Sequence, residues 1–429
     1  MALVIACAGA SIACGTPARA EGRPAAAPVP TVDAVAPELH ALYVDLHQHP
    51  ELSLKEERTA EVLAAALKKH GYEVTTGVGK TGVVGVLKNG PGPTVMLRTE
   101  LDALPVAEKT GLPYASQVPD VMHACGHDVH MSAWVGTAAV LAANKQRWQG
   151  TVVFIGQPAE ETVGGARAMI ADGLFTRFPK PDYVIAVHDT SDAPAGTASW
   201  VPGYAMANVD SADVTIFGKG GHGARPEMTI DPIVIASRTV LALQTIVARE
   251  KDPSEPAVIT VGSIHGGTKH NIIPDDVKLQ ITVRTYKPEV RAQMRAAIER
   301  IVKGEAMTAG APREPLVAFS QGQDATYNDP ALTKRLAPVL ARALGDANVS
   351  EGRPEMVSED FGELGKAARA PSVLFRVGAV APARFAAAKA SGERLPALHS
   401  STFAPDPDRT IRTGAAVLTA SVLDLLKRR

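Results

Sequence analysis

Cys125 and His127 lie two apart in the turn MHACGHD (122–128), so a sulfur and an imidazole donor can converge on one point. A metal ion, an activated thiol and plain coincidence all fit that pair taken alone. Three other places carry donors of the same kind. QPAEE supplies Glu160 and Glu161 just after the apolar run GTVVFIGQP (150–158), His188 closes VIAVH, and His399 sits in LPALHSSTF. Adjacent carboxylates past a strand end point in different directions. One can bind a cation while its neighbour stays free to take a proton from water held there. In isolation a Glu-Glu pair reads as a solvated turn, a single Cys as a small buried hydrophobe, and a single His as a core or surface residue. Together they form a thiolate, imidazole and carboxylate set that suits zinc, manganese, cobalt or nickel better than calcium or magnesium.

Such groups need rigid elements behind them. TVMLR (94–98), GTVVFIGQP and DYVIAVHD (182–189) read as buried strands. They alternate with helical stretches: VAPELHALYVDLHQHP, stopped at Pro50; LKEERTAEVLAAALKKHGY, capped at Gly71; and MSAWVGTAAVLAANK. Alternation of this kind predicts an α/β layer with a mixed, largely parallel sheet flanked by helices. Ligands of such sheets gather at the carboxyl ends of the strands, where the Glu pair and His188 fall. The pattern changes near residue 206. NVDSADVTIFGKG, a helix at 231–250, AVITVGSIHGG, VKLQITVRTY and a helix at 288–304 read as an α+β sandwich. The expected organisation is a discontinuous α/β domain, 33–205 and 318–429, interrupted by a smaller α+β domain over 206–317. At 429 residues the chain is too long for one ordinary core, which agrees.

Net charge is −1 and no basic run tracks a phosphate backbone, so nucleic acid is excluded as an expected partner. The apolar run 2–13 followed by Ala18-Arg19-Ala20 reads as a signal peptide over 1–20, cleaved before Glu21, with a Pro/Ala-rich flexible lead-in over 21–32. A periplasmic or secreted location follows from it. No later run reaches membrane length, so no membrane span is expected. Cleavage leaves Cys125 alone and removes any intrachain disulfide.

LRTELDALP (97–105), MHACGHD, GQPAEE, VH (187–188), GKGGHGARP (218–226), GGTKHNIIPD (266–275), VSEDFG (357–362) and LHS (398–400) follow one another over nearly all of the mature chain. In these the chain resembles the metallopeptidase family of aminoacylases and carboxypeptidases. The likeness is to its N-acyl-amino-acid amidohydrolase branch, with hippurate hydrolases and plant auxin-conjugate hydrolases. The resemblance implies two divalent metal ions per subunit. Cys125, His127, Glu161, His188 and His399 match the ligand positions, with Cys125 bridging. Glu160 matches the general base and Asp102 an acidic residue steering the site. His222 matches a histidine that reaches the partner subunit's site and helps hold the oxyanion, and Asn271 a substrate contact. By the same resemblance the divided domain is the catalytic, metal-binding one, and the inserted domain serves for dimerisation or as a lid, which implies a homodimer through it.

The chain departs from the usual motifs at Thr99 and Glu100, where RADMDALP is commoner, at Val129, and at Asp189 and Thr190, where an aromatic and a proline often follow the histidine. None of these removes a matched ligand or the base. The expected activity is hydrolysis of N-acyl amino acids by a metal-activated water. A dipeptidase or carboxypeptidase using the same site and a non-catalytic metal- or ligand-binding protein are the alternatives, with a Cys125 thiol nucleophile as a third.

Overall fold

The structure is a computed structural model describing residues 30–320 and 322–428. The expected signal peptide and most of the lead-in lie outside the described residues. The end of the lead-in is not loose, however: Val32 is buried against the main core, because its side chain fills space beside Gly136 and Leu39.

Eight strands form the main sheet. In spatial order they are Glu73–Val78, Gly82–Asn89, Gly150–Gln157, Thr94–Glu100, Tyr183–Pro194, Ser372–Val380, Ala198–Trp200 and Val349–Glu351. The four in the middle run parallel to one another, and antiparallel pairs occur towards both margins. Thr94–Glu100 is buried along almost its whole length, as a central strand covered on both faces must be. One cover is the helix His127–Ala143. It is apolar all round, as an interior helix should be, and it lies between the helices Ala36–Gln48 and Pro407–Leu425. Gly414 permits the close approach of the last of these, since a Cβ there would meet that of Ala133 at 3.0 Å.

The inserted unit is a four-stranded antiparallel sheet, in order Ala257–His265, Asp276–Thr285, Asn208–Phe217 and Leu316–Phe319. Asp276–Thr285 alternates exposed and buried residues, so one face packs on the helices Pro232–Thr245 and Pro288–Thr308, which share a separate core with it. Two expectations need correction. Leu316–Phe319 pairs with Asn208–Phe217, Val317 opposite Val214, so the unit extends to Phe319 rather than stopping at 317. The helix expected over 231–250 ends at Thr245, and Ile246–Glu250 forms a π-helical turn.

Candidate active site

Strand ends deliver the acidic groups. Asp102 follows Thr94–Glu100, and the Glu160-Glu161 turn follows the adjacent parallel strand Gly150–Gln157. Asp102 ties the two together: its carboxylate accepts the backbone N–H of Glu160 at 3.1 Å, that of Glu161 at 3.0 Å and the Ser53 hydroxyl at 2.7 Å. These bonds fix the backbone of the turn that carries the two glutamates. The MHACGHD turn leads into the helix at His127. Gly126 takes φ 74° at the helix start, and a Cβ there would lie 2.3 Å from an Asp189 carboxylate oxygen. Only glycine fits both the backbone and the space.

Four separated segments converge on the Cys125 sulfur. His399 Nε2 lies 3.3 Å from it and His188 Nε2 3.7 Å. Glu161 Oε1 is 3.4 Å from His399 Nε2 and 3.9 Å from His127 Nε2. Backbone carbonyls set both inner imidazoles. His127 Nδ1 donates to the Asp102 carbonyl at 2.7 Å and His188 Nδ1 to the Asp189 carbonyl at 2.8 Å, so each Nε2 faces the cluster as a lone pair. His127 Nε2 and Glu161 Oε1 are buried without hydrogen-bond partners. Orphaned acceptors this close to one another are unfavourable unless a cation lies among them. Burial and then the charges of Glu161 and Glu160 push the Cys125 thiol well above its ordinary range. That is the reverse of an activated nucleophile and disfavours the thiol mechanism. A divalent ion resolves both problems, and the mixed donor set fits one.

Glu100 and His130 also come within ligand range of His127 and His188. Their donor atoms are already engaged. His130 Nδ1 faces Glu100 at 3.0 Å and Nε2 faces Asp189 at 3.2 Å. Burial opposes its charge, while these carboxylates raise its pKa to about 10. Both His130 nitrogens are thus engaged, Nδ1 by Glu100 and Nε2 by the Asp189 backbone N–H at 2.8 Å, which leaves neither open to a metal. Glu160, buried at the same turn, has a carboxylate oxygen within 4.8 Å of the His127 and Glu161 donor atoms and also borders Glu359 and Asp360. Desolvation, with the charges of Glu359, Glu161 and Asp360, raises its pKa well above the carboxylate range. A cavity of about 520 Å³ opens over the cluster, lined by Cys125, Glu160, Glu161, His188, Arg284 and His399 among others.

Residues 96–418 match the description of peptidase family M20/M25/M40. The chain belongs to that family. It is 40% identical over 338 residues to "Thermostable carboxypeptidase 1" of Saccharolobus solfataricus, covering 78% of this chain and 84% of the relative. It is 40% identical over 319 residues to "Hippurate hydrolase" of Campylobacter jejuni, covering 74% and 82%. A Bacillus subtilis crystal structure described as a dinuclear metal binding peptidase of family M20 superposes with a TM-score of 0.76 at 28% identity, covering 92% of this chain and 99% of that one.

In this family member the structure gathers Cys125, His127, Glu160, Glu161, His188 and Asp102 at one end of the sheet and brings His399 to them from a distant loop. His188 does not end its strand, as the sequence suggests. Tyr183–Pro194 continues six residues beyond it, because Ser372–Val380 pairs with it as far as Pro194. His222 and Asn271 lie elsewhere, side by side on the inserted unit. His222 is exposed in the two-residue strand Gly221–His222, and Asn271 accepts the Gly223 N–H at 2.9 Å. Neither lines the cavity. Arg98, Arg284 and Arg376 escaped the sequence reading. Glu359 and Asp360 lie in VSEDFG without a role assigned to them there. The lone arginine in the buried run TVMLRTE was the signal for Arg98.

A second buried imidazole ties the site's helix to the first helix. His47 Nδ1 lies 2.6 Å from Asp128 and Nε2 3.3 Å from Glu108. Burial lowers its affinity for a proton, yet the hydrogen bonds to Asp128 and Glu108 raise its pKa from 6.5 to about 9. The raised value means that the stabilisation is complete below pH 6.5 and is lost as pH rises through about 9. Its size is on the order of 3 kcal/mol. The stability gap between wild type and His47→Ala, read from urea midpoints, should therefore narrow between pH 6.5 and 9.5. A constant gap over that range would leave His47 neutral in the fold.

Proposed function

We propose that this protein is a metal-dependent amidohydrolase that cleaves the amide of N-acyl amino acids, giving a carboxylic acid and a free amino acid. Two divalent ions, of zinc, manganese, cobalt or nickel, would be held by Cys125, His127, Glu161, His188 and His399. When bound they polarise the amide carbonyl and lower the pKa of water. Glu160 takes the proton of the attacking water and hands it to the leaving amine. The observation that carries the substrate class is Arg284. It reaches the cavity from the inserted unit, donates to Ser358 Oγ at 2.9 Å, and has no carboxylate partner among the described residues. Burial lowers its pKa, so an anion beside it is favourable. An amino acid released from an acyl group presents that anion as its free carboxylate.

A dipeptidase shares this requirement, and the names of the relatives span both activities. Amine release from N-acyl amino acids and from dipeptides, after chelation and metal re-loading, separates the two. Arg284→Met should raise KM for a carboxylate substrate about 10- to 100-fold and leave its carboxamide analogue nearly unchanged. Equal effects on both would remove Arg284 from carboxylate recognition.

A homodimer through the inserted unit is part of the same proposal. Val234 and Leu241 on the helix Pro232–Thr245, and Ile264 on the edge strand Ala257–His265, are 55%, 72% and 50% exposed. With its π turn this helix is long and apolar enough to cross a membrane, but a self-complementary face beside an open sheet edge suits a second copy. His222 and Asn271 would then be free to serve the other copy's cavity. Sedimentation equilibrium should give a dimer, and Leu241→Glu a monomer. A wild-type monomer at micromolar concentration would refute it.

A further inference from the structure

Arg376 lines the cavity over the donor cluster and has no part in the chemistry above. It stands in register with His188 on the neighbouring parallel strand, so the two side chains leave the same face of the sheet as neighbours. Its side chain is only 12% exposed, one terminal nitrogen lies 3.1 Å from Glu355, and Nε is buried without a hydrogen-bond partner. A buried guanidinium N–H lacking an acceptor is unfavourable, and an incoming carboxylate relieves it with a bidentate pair.

Behind Arg376 lies a second chamber of about 270 Å³. Arg376 and Met206 line both spaces, so the chamber adjoins the active-site cavity at that point. Its polar lining includes Thr190, Ser199, Arg353, Glu355 and Asp192, and no aromatic side chain contributes. Such a wall is poorly suited to a benzoyl or indolyl ring.

We propose that this chamber receives the far end of the acyl group, and that Arg376 selects acyl groups ending in a carboxylate. This rests on the amidohydrolase reading, in which Arg284 already holds the amino acid's carboxylate and Arg376 is left for the other side of the amide. Preferred substrates are then dianionic, with one carboxylate on each side of the scissile bond.

The test compares N-succinylglycine, N-butyrylglycine and N-benzoylglycine on the metal-loaded full-length protein. Succinyl and butyryl have the same chain length and differ in the terminal charge. Wild type should favour succinyl over butyryl by about tenfold or more in kcat/KM. Arg376→Met should lose about 10- to 100-fold on succinyl and little on butyryl, while Arg376→Lys retains part of the preference. Undiminished butyryl turnover in Arg376→Met also shows that the variant folds. No succinyl preference in wild type, equal loss on both substrates, or a preference for N-benzoylglycine would overturn the proposal. Calorimetric binding of the three ligands to Glu160→Ala supplies a readout independent of turnover. Selective binding of succinylglycine without hydrolysis by wild type sinks the amidohydrolase reading and keeps the chamber. Hydrolysis of all three without selectivity does the reverse.

Discussion

Glu160→Ala should fold and bind metal like wild type and lose about 10²- to 10⁴-fold in kcat, the usual contribution of a general base. Glu160 is placed by its backbone, whose N–H is fixed to Asp102, while its carboxylate stays out of that bond. The neighbouring Glu161 faces the Cys125 and His399 donors. Removing Glu160 therefore deletes the proton carrier and leaves the five metal-facing groups intact. Its surroundings suit a group that must both accept and release a proton, since burial and three nearby carboxylates strengthen its hold on the proton. A bound dication acts in the opposite direction, so the working pKa lies between these influences. Glu160→Asp retracts the carboxylate by one methylene and should fall between the two enzymes. Metal content by atomic emission and kcat on one N-acyl amino acid decide the matter. A Glu160→Ala enzyme with normal metal content and more than about a tenth of wild-type kcat would assign the proton transfer to another group.

Arg98→Met should destabilise the fold by about 3–5 kcal/mol, the range for an uncompensated buried charge. Arg98 is 1% exposed, on the central strand that delivers Asp102. It donates to Glu359 at 2.7 and 3.1 Å, to Asp360 at 3.0 Å, to Gln157 at 3.0 Å, and to Glu100. Methionine fills similar volume but leaves Glu100, Glu359 and Asp360 buried without it. Even with Arg98 in place, desolvation followed by the charge of Glu359 raises the Asp360 pKa to about 7. A pKa raised in the folded state means that folding takes up a proton, so stability falls as pH rises from about 4 through 7. In Arg98→Met this dependence should steepen, with the variant recovering as pH falls towards 5. Arg98→Lys keeps one charge without the planar fork and should lie between. A loss under 1 kcal/mol at pH 7.5 in urea unfolding would show that the three carboxylates settle without the guanidinium.

The ligand-type residues were legible because their chemistry is local. Cys125 and His127 share one turn, and Glu160 and Glu161 share another. The buried strands and the inserted unit were legible from periodicity, since Asp276–Thr285 alternates and Thr94–Glu100 does not. What stayed hidden depends on pairing across long separations. Arg98 meets Glu359 across 261 residues, and no spacing rule links them. His130 lies within ligand range of His127 and His188 in the fold, and only Glu100 and Asp189, closing on its two nitrogens, remove it from the set. The extension of the inserted unit to Phe319 depends on register with Asn208–Phe217, which LVAF alone does not specify. Arg284 belongs to a strand on one unit and a cavity on the other, so its meaning appears only when both are folded.

The Cys125–His399 contact joins residues 274 positions apart. At about 5–20 residues per second, a ribosome makes the second of them roughly 14–55 s after the first. Until then the nascent chain can offer an ion no more than the Cys125–His127 turn, the Glu pair and His188, without the outer imidazole that closes the cluster. His399 is also its most solvent-facing member, with a side chain 54% exposed and a backbone φ of 67°. The last donor to be synthesised is therefore the one at the doorway. Completion of the metal cluster is a post-synthetic event, governed by the ions that meet the finished chain.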